Sequence, residues 1–139
     1  MLERFAMIKI TKERSVSIDD VLHLYQAVGW TNYTNQPQML AQALSHSLAT
    51  YLARDGEKII GLVHLVGDGF SSVFVQDLIV LPSYQRQGIG SNLMKEALGD
   101  FKYAYQVQLV TEQTEKTLGF YRSLGFETLS TYDCTGMIW

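Results

Sequence analysis

Cysteine is almost absent from this chain: Cys134 stands alone among 139 residues. No intrachain disulfide can form, so the staple of small secreted domains is missing and the cytoplasm is the expected compartment. Proline is nearly as scarce, with only Pro37 and Pro82, and no low-complexity linker divides the chain. A basic surplus is missing too, since 11 Lys and Arg against 14 Asp and Glu leave a net charge of −3. That argues against a nucleic-acid module, which carries a basic face or stripe. No apolar run approaches the ~20 residues of a membrane-spanning helix, so no membrane partner is expected. The opening residues 1–5 include an acid and lack the basic start and long apolar stretch of a signal peptide. What remains is an ordinary globular balance, 47% hydrophobic and 18% charged. The length suits a single domain over residues 1–139 with a real core.

Periodicity then orders the chain. Residues 5–11 read as a first strand. Ser17 and Asp19–Asp20 offer helix-start chemistry, Val21, Leu24, Tyr25 and Val28 follow at helical spacing, and Gly29 is a stop. A second helix is expected over 38–47, after a turn-rich segment that carries Trp30 and Tyr33. Strand-like runs at 48–54 and 58–66 flank Asp55-Gly56, a strong hairpin signal, and 73–81 is a third consecutive strand ended by Pro82. Ile89, Leu93, Ala97, Leu98 and Phe101 form one apolar stripe of a helix over 88–101. A strand at 105–110, a short helix at 115–124 and a terminal hairpin or strand pair at 126–138 complete the pattern. Antiparallel succession followed by a strand–helix–strand crossover predicts an α+β fold, a mixed sheet with helices on its faces.

Between the third of those strands and the long helix lies Gln85-Arg-Gln-Gly-Ile-Gly-Ser91. Glycines at a helix start leave backbone N–H groups open to an anion at the positive end of the helix dipole, and Arg86 adds a permanent charge. The same glycines also serve a tight turn and a close helix–sheet approach. A P-loop is excluded, because G-x-x-x-x-G-K-[ST] does not occur. A dinucleotide fingerprint is poorly matched, since Gly88-Ile-Gly-Ser-Asn-Leu93 lacks the third glycine, although Glu112 lies near the spacing of a ribose-binding acid.

The segment Gln85-Arg-Gln-Gly-Ile-Gly90, preceded by Asp77-Leu-Ile-Val-Leu-Pro82 and followed by Ser91-Asn-Leu-Met94, resembles the Q/R-x-x-G-x-G/A signature of the GCN5-related N-acetyltransferase (GNAT) superfamily. Phe120-Tyr-Arg-Ser-Leu-Gly-Phe126 resembles that family's second motif, in the right order with a strand between. The resemblance implies the family's acyl-CoA fold, in which the strand ahead of the loop splays from its neighbour. It implies acetyl-CoA as co-substrate, with pyrophosphate held by Gln85, Arg86, Gln87, Gly88, Ile89, Gly90 and Ser91. The backbone of Leu78, Ile79 and Val80 would then pair with the pantetheine amides, which suits strand groups that need partners. A homodimer is implied by the resemblance alone.

Tyr121 matches the family tyrosine near the coenzyme sulfur. It is either a proton donor to the departing thiolate, a modest need given a thiol pKa near ~8.5, or a packing residue. Asp77 lies in an apolar strand and, by simple alternation, shares a face with Val73, Val75 and Ile79. It either binds the acceptor ammonium and takes its proton, or is a structural carboxylate bonded to nearby N–H groups. Glu112 and His64 are less favoured bases. The Ile79 N–H is the expected oxyanion donor. Trp30 and Tyr33 fall where such proteins hold the acceptor, and they either flank an amine or cap the core. Thr114 and Thr117 stand where many members have Asn and Ala, so a coenzyme contact is reduced to the Thr114 hydroxyl or lost. Cys134 is expected to be buried, His23 and His46 to be surface or helix-packing residues, and no His, Cys and acid grouping has metal spacing.

Three functions compete. The first is N-acetyl transfer from acetyl-CoA to a primary amine of a small molecule or peptide, by direct attack in a ternary complex. A coenzyme A-binding regulatory or sensor module comes second, and a nicotinamide-binding domain last.

Overall fold

The computed structural model of the protein describes residues 7–139, so residues 5 and 6 of the expected first strand lie outside it. The chain forms two compact units, one ending at Gln108 and one running from Leu109 to Trp139. The first holds β1 (Ile8–Glu13), α1 (Ile18–Ala27), α2 (Thr31–Thr34), α3 (Pro37–Ser45), β2 (Ala49–Asp55), β3 (Lys58–Gly67) and β4 (Ser72–Val80). A single 3-10 turn (Pro82–Tyr84), helix α4 (Ile89–Asp100) and β5 (Gln106–Leu109) follow, the last residue of β5 opening the second unit.

The five strands lie in sequence order in one open sheet, and β1 to β4 pair antiparallel. The α4 crossover between β4 and β5 makes the sheet mixed, as expected. Local chemistry sets most boundaries. Ser17 Oγ accepts from the Asp19 N–H at 3.3 Å and starts α1, and Pro37 occupies the first turn of α3, where its missing N–H is harmless. Helix α2 was not expected. Its residues, Thr-Asn-Tyr-Thr, are poor helix formers, so tertiary contacts of the Tyr33 ring with Tyr25 and Trp30 decide its shape.

The sheet buries both faces. A Cβ at Gly61 would meet Ile79 O at 3.1 Å and Leu93 Cδ1 at 3.2 Å, so any other residue would push β4 or α4 back by a few tenths of an ångström. Ile89, Leu93, Met94 and Ala97 form the buried face of α4. His64, three residues beyond Gly61, turns to the opposite face, where α1 packs through Val21, Leu24 and Tyr25. Truncating Leu93, which is fully buried, costs about 2–5 kcal/mol by the usual rule for core leucines.

One irregularity in β4 reverses the facing of its later residues. Val75 pairs with Leu65 and Asp77 pairs with His64, so Gln76 is an extra, bulged residue. His64 and Leu65 are consecutive and face opposite ways, hence so do Asp77 and Val75. The face-sharing expected of these two from simple alternation therefore fails, because the bulge resets the parity.

The second unit holds α5 (Glu115–Ser123) and a 3-10 turn (Leu129–Tyr132). The strand pair expected over 126–138 does not form. Thr128, Ser130 and Thr131 hydroxyls bond to one another, and Asp133 takes a left-handed backbone with φ 58°. Such local bonding competes with a strand ladder and bends the segment into a turn closed by Cys134 N–H to Leu129 O at 3.0 Å. Cys134 is consequently exposed, not buried as expected.

Candidate active site

The bulge places Asp77 on the α1 face with 3% of its surface exposed. A bare carboxylate there would be costly, and the structure surrounds it with donors. Tyr25 Oη donates to Oδ2 at 2.8 Å, Tyr33 Oη donates to Oδ1 at 2.9 Å, and His64 Nδ1 lies 3.3 Å from Oδ2. A carboxylate only accepts, so the His64 Nδ1 facing it carries a proton, and the buried Nε2 has no hydrogen-bond partner among the described residues. Burial, then Asp77, pushes the Tyr25 hydroxyl far above its usual range. Tyr33 is pushed up to about 12, chiefly by burial, against the contrary pull of the Gln76 amide that donates to its oxygen at 3.1 Å. The rings of Tyr25, Trp30 and Tyr33 pack together with centroids 5.0–6.2 Å apart. Trp30 and Tyr33 remain half-buried.

Past Asp77, β4 opens. Its neighbour β5 starts level with Phe70 and Ser71, through Tyr105 N–H to Phe70 O at 2.8 Å and Gln106 N–H to Ser71 O at 3.2 Å. With four residues it runs out well before Leu78. On the other side the ladder with β3 continues to Leu81, whose N–H bonds to Ile60 O at 2.8 Å. Alternation back from Leu81 turns the Ile79 N–H and C=O toward β3 and those of Leu78 and Val80 outward. The outward carbonyl of Val80 accepts from Gln85 Nε2 at 2.9 Å. The outer-edge N–H groups are therefore those of Leu78 and Val80. The Ile79 N–H, expected from sequence to be the oxyanion donor, instead faces the β3 ladder.

The loop after β4 is tied at its base, where Tyr84 Oη donates to Asp55 Oδ2 at 2.5 Å on the β2–β3 hairpin. Arg86 takes a left-handed backbone (φ 63°), which costs a non-glycine residue ~1–2 kcal/mol. Gly88 follows at φ 79° as the N-cap of α4, with no side-chain cap and with nothing within 4 Å of where a Cβ would stand. Asn92 N–H to Gly88 O at 3.0 Å is the first bond of the helix. The N–H groups of Ile89, Gly90 and Ser91 thus have no acceptor inside it. No acidic side chain occupies the first turn. An uncapped N-terminus on a 12-residue helix, beside an exposed Arg86 and half-exposed Gln87, offers the donors and charge that suit an anion.

In the second unit, Tyr121 sits on α5 with its ring edge-on to Phe120 and Phe126, at 5.0 and 5.9 Å. Burial raises its hydroxyl above the usual value, opposed by a hydrogen bond with the Thr111 side chain. Such a group keeps its proton at neutral pH and so remains available as a donor. Thr114 is the N-cap of α5: its Oγ1 accepts from the Thr117 N–H at 3.2 Å and donates to Thr117 Oγ1 at 2.9 Å. That hydroxyl is already engaged. Glu112 is exposed.

Asp77 is thus brought together with Tyr33, 44 residues earlier, and with its neighbour Trp30, and Leu78 to Ser91 form one continuous edge and loop. Sequence reasoning missed Tyr25, Gln76 and the His64 contact. The signal for the bulge was legible in Val75-Gln-Asp-Leu78, where two polar residues in succession break an apolar strand. Among the described residues no cluster of His, Cys, Asp and Glu could hold a metal ion, and no helix is long and apolar enough to cross a membrane.

A family model described as the acetyltransferase (GNAT) domain matches residues 46–128, more than half of the chain. A GNAT-family acetyltransferase from Streptococcus pneumoniae superposes with a TM-score of 0.89 and is 75% identical, covering 96% of this chain and 97% of its own. Serotonin N-acetyltransferase 2, chloroplastic, from Oryza sativa subsp. japonica is 30% identical over 95 residues, 66% of this chain and 48% of that protein. The chain spans about half the length of the plant relatives it matches. An N-acetyltransferase from Thermoplasma acidophilum, solved in complex with coenzyme A, shares the fold at a TM-score of 0.65 and 20% identity, covering 86% of this chain and 91% of its own. The uncapped loop after β4, the open outer edge of that strand and the match over residues 46–128 have one common reading: this chain belongs to the GNAT acetyltransferase family.

Proposed function

We propose that the protein is an N-acetyltransferase that moves the acetyl group of acetyl-CoA to a primary amine by direct attack. The observation that supports it most is the N-terminus of α4, with Gly88 left-handed, uncapped and unobstructed beside Arg86. The donor set fits a pyrophosphate: backbone N–H groups of Gly88 to Ser91, the side chains of Gln87 and Ser91, and the permanent charge of Arg86. Gln85, whose amide reaches back to Val80, ties loop to strand. The outward groups of Leu78 and Val80 suit the amides of a pantetheine arm, as an added strand suits any open sheet edge.

Acetyl-CoA supplies an activated thioester. The chain's own residues hold it, exclude water and manage protons. An N–H on the outer edge at Leu78 or Val80 stabilises the oxyanion, where one such donor contributes about 10²–10³ in rate. The amine attacks as the free base after its ammonium sheds one proton to solvent. In this reading Tyr121, with its own proton retained, gives that proton to the departing sulfur and recovers one from the attacking nitrogen as the amide forms. Asp77, enclosed by Tyr25, Tyr33 and His64, acts through Tyr33 and not by direct contact with the amine. Trp30 and Tyr33 border the acceptor, in keeping with the amine named in the rice relative.

The test is thiol release from acetyl-CoA with a panel of arylalkylamines, polyamines, amino acids and N-terminal peptides. Turnover well above hydrolysis for one class is expected, and Tyr121→Phe should lower kcat about 100-fold with little change in coenzyme affinity. Tight coenzyme binding with no turnover on any amine would instead favour a regulatory module. The engagement of Thr114 in capping α5 is the observation on that side.

A further inference from the structure

The hydrogen-bond polarity at Tyr33 is fully determined. Asp77 accepts only, so the single Tyr33 hydroxyl proton lies on Oδ1, 2.9 Å away. The Gln76 amide donates to the same oxygen at 3.1 Å, from the bulged position on β4. A phenol oxygen held in this way has no proton left to offer and one acceptor position still open. Tyr33 is half-buried, and its ring lies 6.2 Å from the half-buried ring of Trp30. Behind it stands the buried Asp77 carboxyl group, locked by Tyr25 and by His64.

We infer that Tyr33 is the residue that selects the acceptor, as a fixed hydrogen-bond acceptor for the ammonium of a cationic primary amine carrying a flat, aromatic body. The inference rests on the acetyltransferase reading and deepens it. A partner must donate to Tyr33 Oη, which admits –NH3⁺ and rejects a carboxylate, since the carboxylate would set lone pair against lone pair in front of Asp77. The Trp30 and Tyr33 rings supply the apolar wall for an aryl group and attract the cation through their faces. Asp77 and Gln76 are positioning residues: they aim the Tyr33 hydroxyl without touching the amine. The bulge serves this purpose, because without the extra residue Gln76 and Asp77 could not reach the same oxygen from their two directions.

The test is calorimetric binding of 2-phenylethylamine, n-hexylamine and 3-phenylpropionate to the full chain saturated with coenzyme A, which reads recognition without turnover. Wild-type protein should bind the arylalkylamine best, the aliphatic amine more weakly and the carboxylate not at all. Tyr33→Phe should weaken phenylethylamine binding about tenfold, the size expected of a lost hydrogen bond to a charged group. Replacing Tyr33 with 3-fluorotyrosine gives a control that keeps shape and fold. Fluorination makes the phenol a poorer acceptor and a better donor, so amine affinity should fall. Unchanged or increased affinity in the fluorinated protein, carboxylate binding equal to that of the amine, or no amine binding by wild-type protein would each overturn the inference. Selective amine binding without acetyl transfer would leave it standing while removing the catalytic reading.

Discussion

Asp77 and Leu78 are neighbours on β4, yet one is the centre of a closed polar network and the other begins an open edge. At Asp77 three donors converge on two oxygens within 2.8–3.3 Å. From Leu78 to Ser91, backbone donors face outward past the end of β5 and at the uncapped start of α4. The difference is physical. A buried charge must be paired by the protein itself, whereas donors at an accessible edge are satisfied by whatever binds there. The closed region holds geometry, and the open one is where we propose that the coenzyme binds.

The largest effect should come from breaking the closed side. Asp77→Ala removes the acceptor of two buried donors and one half-buried one and should cost about 3–5 kcal/mol of stability, read as a fall in the urea midpoint. A loss under about 1 kcal/mol would mean that the network is ornamental and the contrast false. Next, Gly88→Asp acts on the open side. It sets a side chain and a negative charge where the anion should lie, and coenzyme A affinity should drop at least about 100-fold, roughly 2.7 kcal/mol. Calorimetry on the folded variant decides it, and retained affinity would remove the loop from the site.

The smallest effect sharpens the comparison by pH. Tyr33 is pushed up to about 12 from the ordinary 10.0, and Tyr25 further still, both first by burial. A raised folded value means that the protonated hydroxyl is favoured in the fold. Its contribution is therefore complete below pH 10 and is lost as pH rises toward and through 12. Urea midpoints between pH 9 and 12 should fall, and less steeply in Tyr33→Phe. An identical slope in the two proteins would show that Tyr33 is not titrating within the network.

How much of the molecule was legible in its sequence depends on the range of the interactions. Ser17, Gly29, Asp55-Gly56 and Pro82 act on residues within one turn, so the elements they bound came out close to their true limits. The glycine turn that opens α4 was legible for the same reason, since its chemistry lies in consecutive residues. The Tyr25–Asp77 bond joins residues 52 apart, and no local pattern announces it. The strand pair expected at 126–138 failed because hydroxyl-rich Thr128 to Thr131 closes on itself, a competition that hydrophobic alternation does not register.

The sequence alone determined the order of the five strands and the longer helices, the glycine loop with Arg86 and the two motifs that mark the family. These depend on propensity, periodicity and turn chemistry, all short in range. Tertiary structure decided which β4 groups face outward, which way the Tyr33 hydroxyl points, and that Asp77 is a buried anchor. One inserted residue, Gln76, resets the alternation, and the result shows only when β3 is laid beside β4 and α1 is packed across them.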